Sequence, residues 1–417
     1  MKKIPVIATV NTKEAEAEYL SERIRLGGYA APIIDVSTLD SGRLDLPYPY
    51  AAVLAAAGVT AEELRALRRD EMVRAMGRGA GRILRDLRAK GELAGAIAIG
   101  GNQGTAIAAI AMRDLPLGTP RLIVSTVASG NIRPYIEDTD ILMMFSVADF
   151  INNTNIVSRL IMKNAVAAVI GMAAGEALLE PEPATGLRVA LTAFGNTAGA
   201  IETIRRELEA GGCEVVGFHA SGAGGAAMES LIEQGLFSGV VDLTTHELLA
   251  EVCGGGADIY TPLRPRLIAA GARGIPQVVA PGALEYFCFG AESAIPAAYR
   301  GRKTHHHNPY NTNVRASLAE VTTAAEVMAE RLNAARGPVS LLLPQRGFSA
   351  NGREGGLLYE PETDRRLREI LRKNMDQKVR IMEIDANIND ETFAKAAAAE
   401  MLGYITGGKK WLISQKP

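Results

Sequence analysis

Glycine and small hydroxyl residues gather at the ends of apolar runs, and there the chemistry of this chain is concentrated. Ala98-Ile99-Gly100-Gly101-Asn102-Gln103-Gly104-Thr105 joins a strand-like run to an Ala-rich helix. Glycines let the backbone turn sharply and approach a ligand, while the helix that follows offers unpaired N–H groups and the positive end of its dipole. Together these receive a phosphate. The same residues would also serve as a plain strand-to-helix turn. The run lacks the Gly-Lys-Ser/Thr of a Walker loop and the G-x-G-x-x-G of a dinucleotide fold. Two more strand ends carry the signature, Thr9-Val10-Asn11-Thr12-Lys13 and Ser125-Thr126-Val127-Ala128-Ser129-Gly130-Asn131. Strand ends of an open parallel sheet share one edge, where ligands bind at the switch point. Thr9, Thr12, Lys13, the glycine loop and Ser125–Gly130 are therefore candidate nucleotide contacts. Lys13 either meets a phosphate or is solvated in a first helical turn. Asp138 and Asp140 offer oxygen ligands for Mg²⁺, or serve as turn and capping carboxylates.

The second half repeats the theme. His219 ends a strand before Ala220-Ser221-Gly222-Ala223-Gly224-Gly225, where a histidine suits general acid/base work or bonding to the loop backbone. Ser221 and Gly222 are candidate substrate contacts. His246 opens a helix beside Glu247 and reads as a cap-region residue. Pro281-Gly282-Ala283-Leu284-Glu285 closes another strand. His305-His306-His307 invites a metal reading, but consecutive side chains diverge, and only His305 and His307 share a face in an extended strand. An exposed loop with one useful histidine is the expectation, and no metal is assigned. Arg315, after Asn308-Pro309-Tyr310-Asn311-Thr312-Asn313-Val314, could clamp an anion, as could Arg346 in Pro344-Gln345-Arg346-Gly347-Phe348-Ser349.

The elements that must position these loops alternate. Strand-like runs at 3–10, 31–36, 93–99, 121–127 and 141–147 are separated by helical patterns. One of these, across 60–90, is expected to break near Gly77–Gly81; another covers 153–179. After the Pro- and Glu-rich segment 180–186 the rhythm restarts with strands at 188–194, 214–219, 239–243, 277–280, 339–343 and 379–384. Helices at 197–210, 225–234 and 316–335 accompany them. Such alternation predicts two α/β domains, each an open, mostly parallel, Rossmann-like sheet covered on both faces. The boundary is expected between residues 1–181 and 182–417. A chain of 417 residues favours two cores.

Lysine and arginine total 45 against 47 aspartate and glutamate, so no basic excess exists to neutralise a nucleic-acid backbone. Cys213, Cys253 and Cys288 are scattered and odd in number, which fits a reducing cytoplasm rather than a disulfide framework. The apolar stretch at 4–10 is too short for a signal peptide. The 156–175 helix carries Arg159 and Lys163, which predicts a core helix and no membrane span.

Taken in order, the loops resemble a known family. The motifs are GG-x-x-GT at Gly100–Thr105, STVASG at Ser125–Gly130, MMFSVADF at Met143–Phe150 and FHASGAGGAAME at Phe218–Glu229. Then follow DLTT at Asp242–Thr245, PGALEYFCFG at Pro281–Gly290, HNP at His307–Pro309 and LLPQRGFSA at Leu342–Ala350. They are similar to the ATP-binding family named for the N-terminal region of a plant tobamovirus-resistance protein. That protein inhibits viral RNA replication, and the family's bacterial members form an uncharacterised protein family. The resemblance runs from about Ile4 to Asn389, so the tail from Gly403 passes the family's usual end. It implies a homodimer with ATP in the first domain, lined by Gly100, Gly101, Gly104, Thr105, Ser125, Thr126 and Val127. The family's first loop usually reads T-x-D-T-K-G, where this chain has Thr9-Val10-Asn11-Thr12-Lys13-Glu14. His307 lies in the shared HNP motif; His305, His306 and His246 do not. The expected function is an enzyme using ATP, with Mg²⁺ as companion, on a small metabolite between the domains, with His219, His307 and Arg346 as catalytic candidates. A nucleotide-binding regulatory module acting through a protein partner, or a metal-dependent hydrolase or lyase, are the alternatives.

Overall fold

The computed structural model describes residues 1–175 and 186–407. Residues 176–185, which hold most of the expected linker and the end of the expected 153–179 helix, lie outside the described residues, as does the tail from 408. The chain divides into two compact units, Met1–Glu182 and Pro183–Pro417.

The first unit contains β1 (Val6–Ala8), α1 (Val10–Leu26), β2 (Ile33–Asp35), α2 (Tyr50–Ala57), α3 (Ala61–Ala66) and α4 (Arg69–Ala89). It continues with β3 (Ala96–Gly100), α5 (Asn102–Arg113), β4 (Arg121–Ser125), α6 (Arg133–Ile136), β5 (Leu142–Phe145) and α7 (Ile156–Gly175). The strands form one sheet in the order β2-β1-β3-β4-β5, all parallel. Period-two alternation divides each central strand between two cores. Ile7, Ala98 and Ile123 pack with α2, α4 and α5, whereas Val6, Ala8, Ile97, Ile99 and Val124 pack with α1 and α7.

The 60–90 pattern does break, but at Leu67–Arg68 between α3 and α4, and α4 runs unbroken through its glycines. Those glycines serve packing. A Cβ on Gly77 would stand 2.6 Å from Ile110 of α5, and one on Gly79 2.3 Å from the Val53 carbonyl of α2. The core-helix expectation for α7 holds for one face only. Met162, Ala165, Val166 and Val169 are buried, while Ile156, Leu160 and Met172 are exposed. By length and composition alone, α7 is apolar enough to cross a membrane.

The second unit opens with β6 (Leu187–Ala193), α8 (Ala198–Ala210), β7 (Cys213–His219), α9 (Ala223–Glu233), β8 (Gly239–Thr244), α10 (His246–Cys253) and α11 (Ala269–Arg273). Then come β9 (Gln277–Gly282), β10 (Tyr286–Phe289), β11 (Thr304–Asn308), β12 (Asn311–Arg315), α12 (Leu318–Asn333), β13 (Val339–Pro344), α13 (Pro361–Asn374), β14 (Arg380–Ile384) and α14 (Glu391–Ile405). Its main sheet is parallel, in the order β14-β13-β9-β8-β6-β7. The expected loop across 305–315 is instead two strands of a small antiparallel sheet, β10-β12-β11. Its centre, β12, reads Asn-Thr-Asn-Val-Arg, and every residue of it is buried. Polar residues paired inside the protein carry no hydrophobic alternation, so the sequence pattern conceals this strand.

Candidate functional site

The order β2-β1-β3-β4-β5 reverses direction between β1 and β3, so the loops after these two strands flank the switch point. A Cβ built on Gly104 would find Thr9 Cγ2 at 3.8 Å and Thr9 Oγ1 at 3.9 Å, which places the two loops face to face. Their helix N-termini differ. Val10 N donates to the buried Asp35 carboxylate at 3.3 Å and Asn11 N to Ser37 Oγ at 3.0 Å, so α1 is capped from within. The first turn of α5 has no side-chain cap; Thr105 N turns back to the Gly101 carbonyl at 2.9 Å. The Asn102, Gln103 and Gly104 amides are left facing the loop edge.

The glycines of this loop have separate roles. A Cβ on Gly100 would stand 2.6 Å from Thr105 N, so the fold itself requires glycine there. Gly101 and Gly104 would meet nothing closer than 3.7 and 3.5 Å. Glycine in a helix costs roughly 1 kcal/mol against alanine, and no crowding explains that cost at Gly104. Thr105 and Ser125 are fully buried and bonded to each other, Oγ1 to Oγ at 2.6 Å, which ties α5 to the β4 loop rather than presenting hydroxyls to a ligand. Thr126 N, Val127 N and Gly130 N are bonded within the loops as well. The groups facing a ligand here are the α5 amides, the Thr126 hydroxyl, Lys13, which makes no ion pair among the described residues, and the exposed Thr9 and Thr12 hydroxyls, which bond each other at 3.2 Å, with Thr12 also donating to the Thr9 carbonyl at 3.3 Å.

Beside the first turn of α5 lies a cavity of about 690 Å³, lined by Asn102, Gln103, Val73, Ile110 and Tyr135 among others. Tyr135 donates its hydroxyl to Asn102 Oδ1 at 3.1 Å. Asp138 and Asp140 are not part of this edge. They precede β5 at the opposite end of the parallel sheet, where Asp140 pairs with Arg121 at the start of β4 and accepts Gly118 N. Of the two roles expected for these carboxylates, Asp140 takes that of a turn and pairing residue.

In the second unit, direction reverses between β8 and β6. There Phe194 stacks on His246, ring centres 5.1 Å apart at 15°, and lies 5.3 Å from the exposed His219. His246 is more than a cap residue. It is fully buried, its Nδ1 donates to the Ala283 carbonyl at 2.9 Å, and its Nε2 has no partner. The glycine-rich loop after His219 does not present an open helix end. Gly222 N and Gly225 N both donate to the buried Glu247 carboxylate, whose other oxygen meets Arg266 Nε at 2.6 Å. An internal anion occupies the place assigned to substrate at Gly222, and Ser221 N is returned to the His219 carbonyl. Arg266, itself fully buried, also holds Glu229 and Asp242. Burial, opposed by Arg266 and aided by Glu229, pushes the Asp242 carboxyl up to about 6.

Arg315 is no anion clamp. It is buried, pairs with Asp364, and donates to the Leu358 carbonyl at 3.0 Å. Arg346 is exposed and held in a fork by Asp385 at 2.8 and 2.7 Å. His307 stands exposed at the β11 irregularity, its ring near only His305, 6.2 Å away, so the structure does not bring it to His219 or Arg346. Among the described residues, no group of three or more His, Cys, Asp or Glu could hold a metal.

Sequence reasoning missed Glu285 as a functional candidate. It is fully buried with both carboxyl oxygens unbonded, and burial pushes its pKa up to about 7 against the pull of Arg315. Ser349 lowers it further, although the two do not reach good hydrogen-bond geometry. A lone acid in the apolar run Ala283–Phe289 was the available signal.

These features define a two-domain, doubly wound α/β protein with one uncapped helix N-terminus at the switch point of its first sheet. The chain belongs to the uncharacterised protein family UPF0261: residues 2–178 match its N-terminal domain and residues 187–405 its C-terminal domain. A UPF0261 protein of Clostridium tetani is 38% identical over 408 residues, covering 97% of this chain and 99% of the relative. Another, from Rhizobium meliloti, is 37% identical over 402 residues, covering 96% and 98%. The ToMV resistance protein Tm-1 of Solanum lycopersicum is 36% identical over 318 residues, which span 75% of this chain but 41% of that protein. Among solved structures, an esterase domain from a Rhodothermus marinus protein aligns with a TM-score of 0.31 and 12% identity, covering 54% of this chain and 90% of its own. That likeness is too remote to carry an argument.

Proposed function

We propose that the first unit binds ATP, with its phosphates on the first turn of α5. One contrast supports this reading above the rest. Of the two loops that flank the switch point of the first sheet, the one leading to α1 has its amides filled by Asp35 and Ser37, while the one leading to α5 is left uncapped. An uncapped helix N-terminus attracts an anion by its free N–H groups and its dipole, and a switch point is where such folds bind ligands. Lys13 and the Thr9, Thr12 and Thr126 hydroxyls would complete the phosphate shell. The cavity beside Tyr135 is large enough for the nucleoside. Mg²⁺ would arrive on the nucleotide, since Asp138 and Asp140 lie at the other end of the sheet.

The proposed activity is ATP-dependent chemistry on a small molecule held at the strand-end edge of the second unit, where His219, His246 and Phe194 meet. The protein is proposed to act as a homodimer. β5 is an edge strand, with Leu142 and Phe145 exposed on it and Val147 exposed just beyond its end. Mass spectrometry of the protein purified without added nucleotide tests the binding step: an adenine nucleotide at near-equal amount is expected. Copurification of an unrelated ligand that blocks ATP would count against it.

A further inference from the structure

Pro344 at the end of β13 and Ile384 at the end of β14 are register partners on the C-terminal edge of the second sheet. Between the loops leaving them and α13 lies a cavity of about 310 Å³, within the range of small-molecule sites. Three guanidinium groups line it: Arg346 and Arg353 from the loop after β13, and Arg368 from α13. Arg346 is already held by Asp385. Arg353 is exposed; its carbonyl accepts the Gly356 N–H at 2.9 Å, while its guanidinium makes no ion pair or hydrogen bond among the described residues. Arg368 is half-buried, and its one hydrogen bond is a long 3.5 Å contact to the Pro344 carbonyl. Its guanidinium carbon lies 5.7 Å from the centre of the Phe348 ring.

A cation taken partly out of water is costly, and burial pushes the Arg368 pKa down accordingly. Asp364, Glu383 and Glu369 pull the other way without cancelling that cost. Asp364 is committed to Arg315, and Asp390 accepts the Asn387 N–H at 2.7 Å. Glu354 is exposed to solvent. Gln345 reaches Glu383 from the rim at 3.0 Å.

We propose that this cavity binds the oxyanion of a small metabolite, a carboxylate or a phosphate, gripped by the unpaired guanidiniums of Arg353 and Arg368. It is a second small-molecule subsite, apart from the edge where His219, His246 and Phe194 meet, and it rests on the ATP reading only for the pairing of the two ligands. Planar guanidinium forks suit either group, by two parallel N–H···O bonds.

The test is calorimetric titration of the full chain carrying Gly104→Val, so that α5 is not counted, with inorganic phosphate and with succinate separately. Saturable binding of at least one probe is expected, weakened tenfold or more by Arg353→Gln and by Arg368→Gln. Which probe binds identifies the group. Arg368→Gln could disturb packing on Phe348, but the exposed Arg353→Gln keeps the comparison valid. Absence of binding by both probes at about 10 mM, an affinity too weak to matter, would overturn the proposal. So would equal binding by wild type and both variants. Loss of the ATP reading alone would leave this outcome unchanged, because the residues tested are all in the second unit.

Discussion

At the scale of single residues, Gly104 and Glu285 carry the sharpest consequences. Gly104→Ala adds a methyl group where there is ordinary van der Waals space, so the fold should gain up to about 1 kcal/mol from helix propensity. If the position serves a ligand, ATP affinity falls while thermal stability rises. A fall in melting temperature would show that the glycine is structural. Glu285 has its folded pKa raised to about 7, so the folded state binds its proton more tightly than the unfolded chain does. Its contribution to stability is therefore full below pH 4.5 and lost as pH rises through about 7. Glu285→Gln removes that dependence and should stabilise the protein at pH 8 by on the order of 3 kcal/mol, with little change at pH 4. Urea titrations at the two pH values check this, and equal effects at both would refute it. Gly100–Thr105 was legible in the sequence because glycine spacing reports backbone geometry directly. The commitments of Arg315 to Asp364 and of Gly222 N to Glu247 were not, since partners 49 and 25 residues away leave no local trace.

Elements repeat the lesson with different physics. The central strands of both main sheets were legible because each is buried on both faces and reads as a continuous apolar run, as in Ala96–Gly100. β12 was not, because its buried residues are asparagine, threonine and arginine that bond one another and nearby groups. The α4 glycines were misread as a break because close helix packing and helix interruption use the same residue. A buried cluster holds α9, α10 and α11 together. Glu247 caps the α9 loop, Glu229 accepts Leu267 N at 2.6 Å and Ala269 N at 2.7 Å, and Arg266 balances both. Arg266→Met leaves three buried carboxylates without their counter-charge and should cost about 3–5 kcal/mol at pH 8. The loss should shrink at pH 5, where protonation of carboxyls such as Asp242 relieves it. Chemical denaturation measures both, and a loss under about 1 kcal/mol at pH 8 would mean the cluster is not what holds these helices.

The whole molecule is two units, each with its own sheet and its own cores. Residues 1–178 and 187–417, which contain the family's two domains at 2–178 and 187–405, should each unfold cooperatively when expressed alone, and calorimetric scans of each would reveal a unit that cannot. If the proposed homodimer forms along β5, sedimentation gives a dimer for the wild type and a monomer for Phe145→Asp, whereas equal mass for both would remove β5 as the proposed interface. The account as a whole turns on the uncapped N-terminus of α5. Titrating ATP into the wild type and into Gly104→Val by calorimetry is its most direct trial, because a side chain there lies between α5 and Thr9, its Cβ 3.8 Å from Thr9 Cγ2 and 3.5 Å from the Ile99 carbonyl. The expected result is saturable ATP binding by the wild type and at least a tenfold loss in the variant, with its melting temperature retained. ATP binding of equal affinity in both proteins would contradict it.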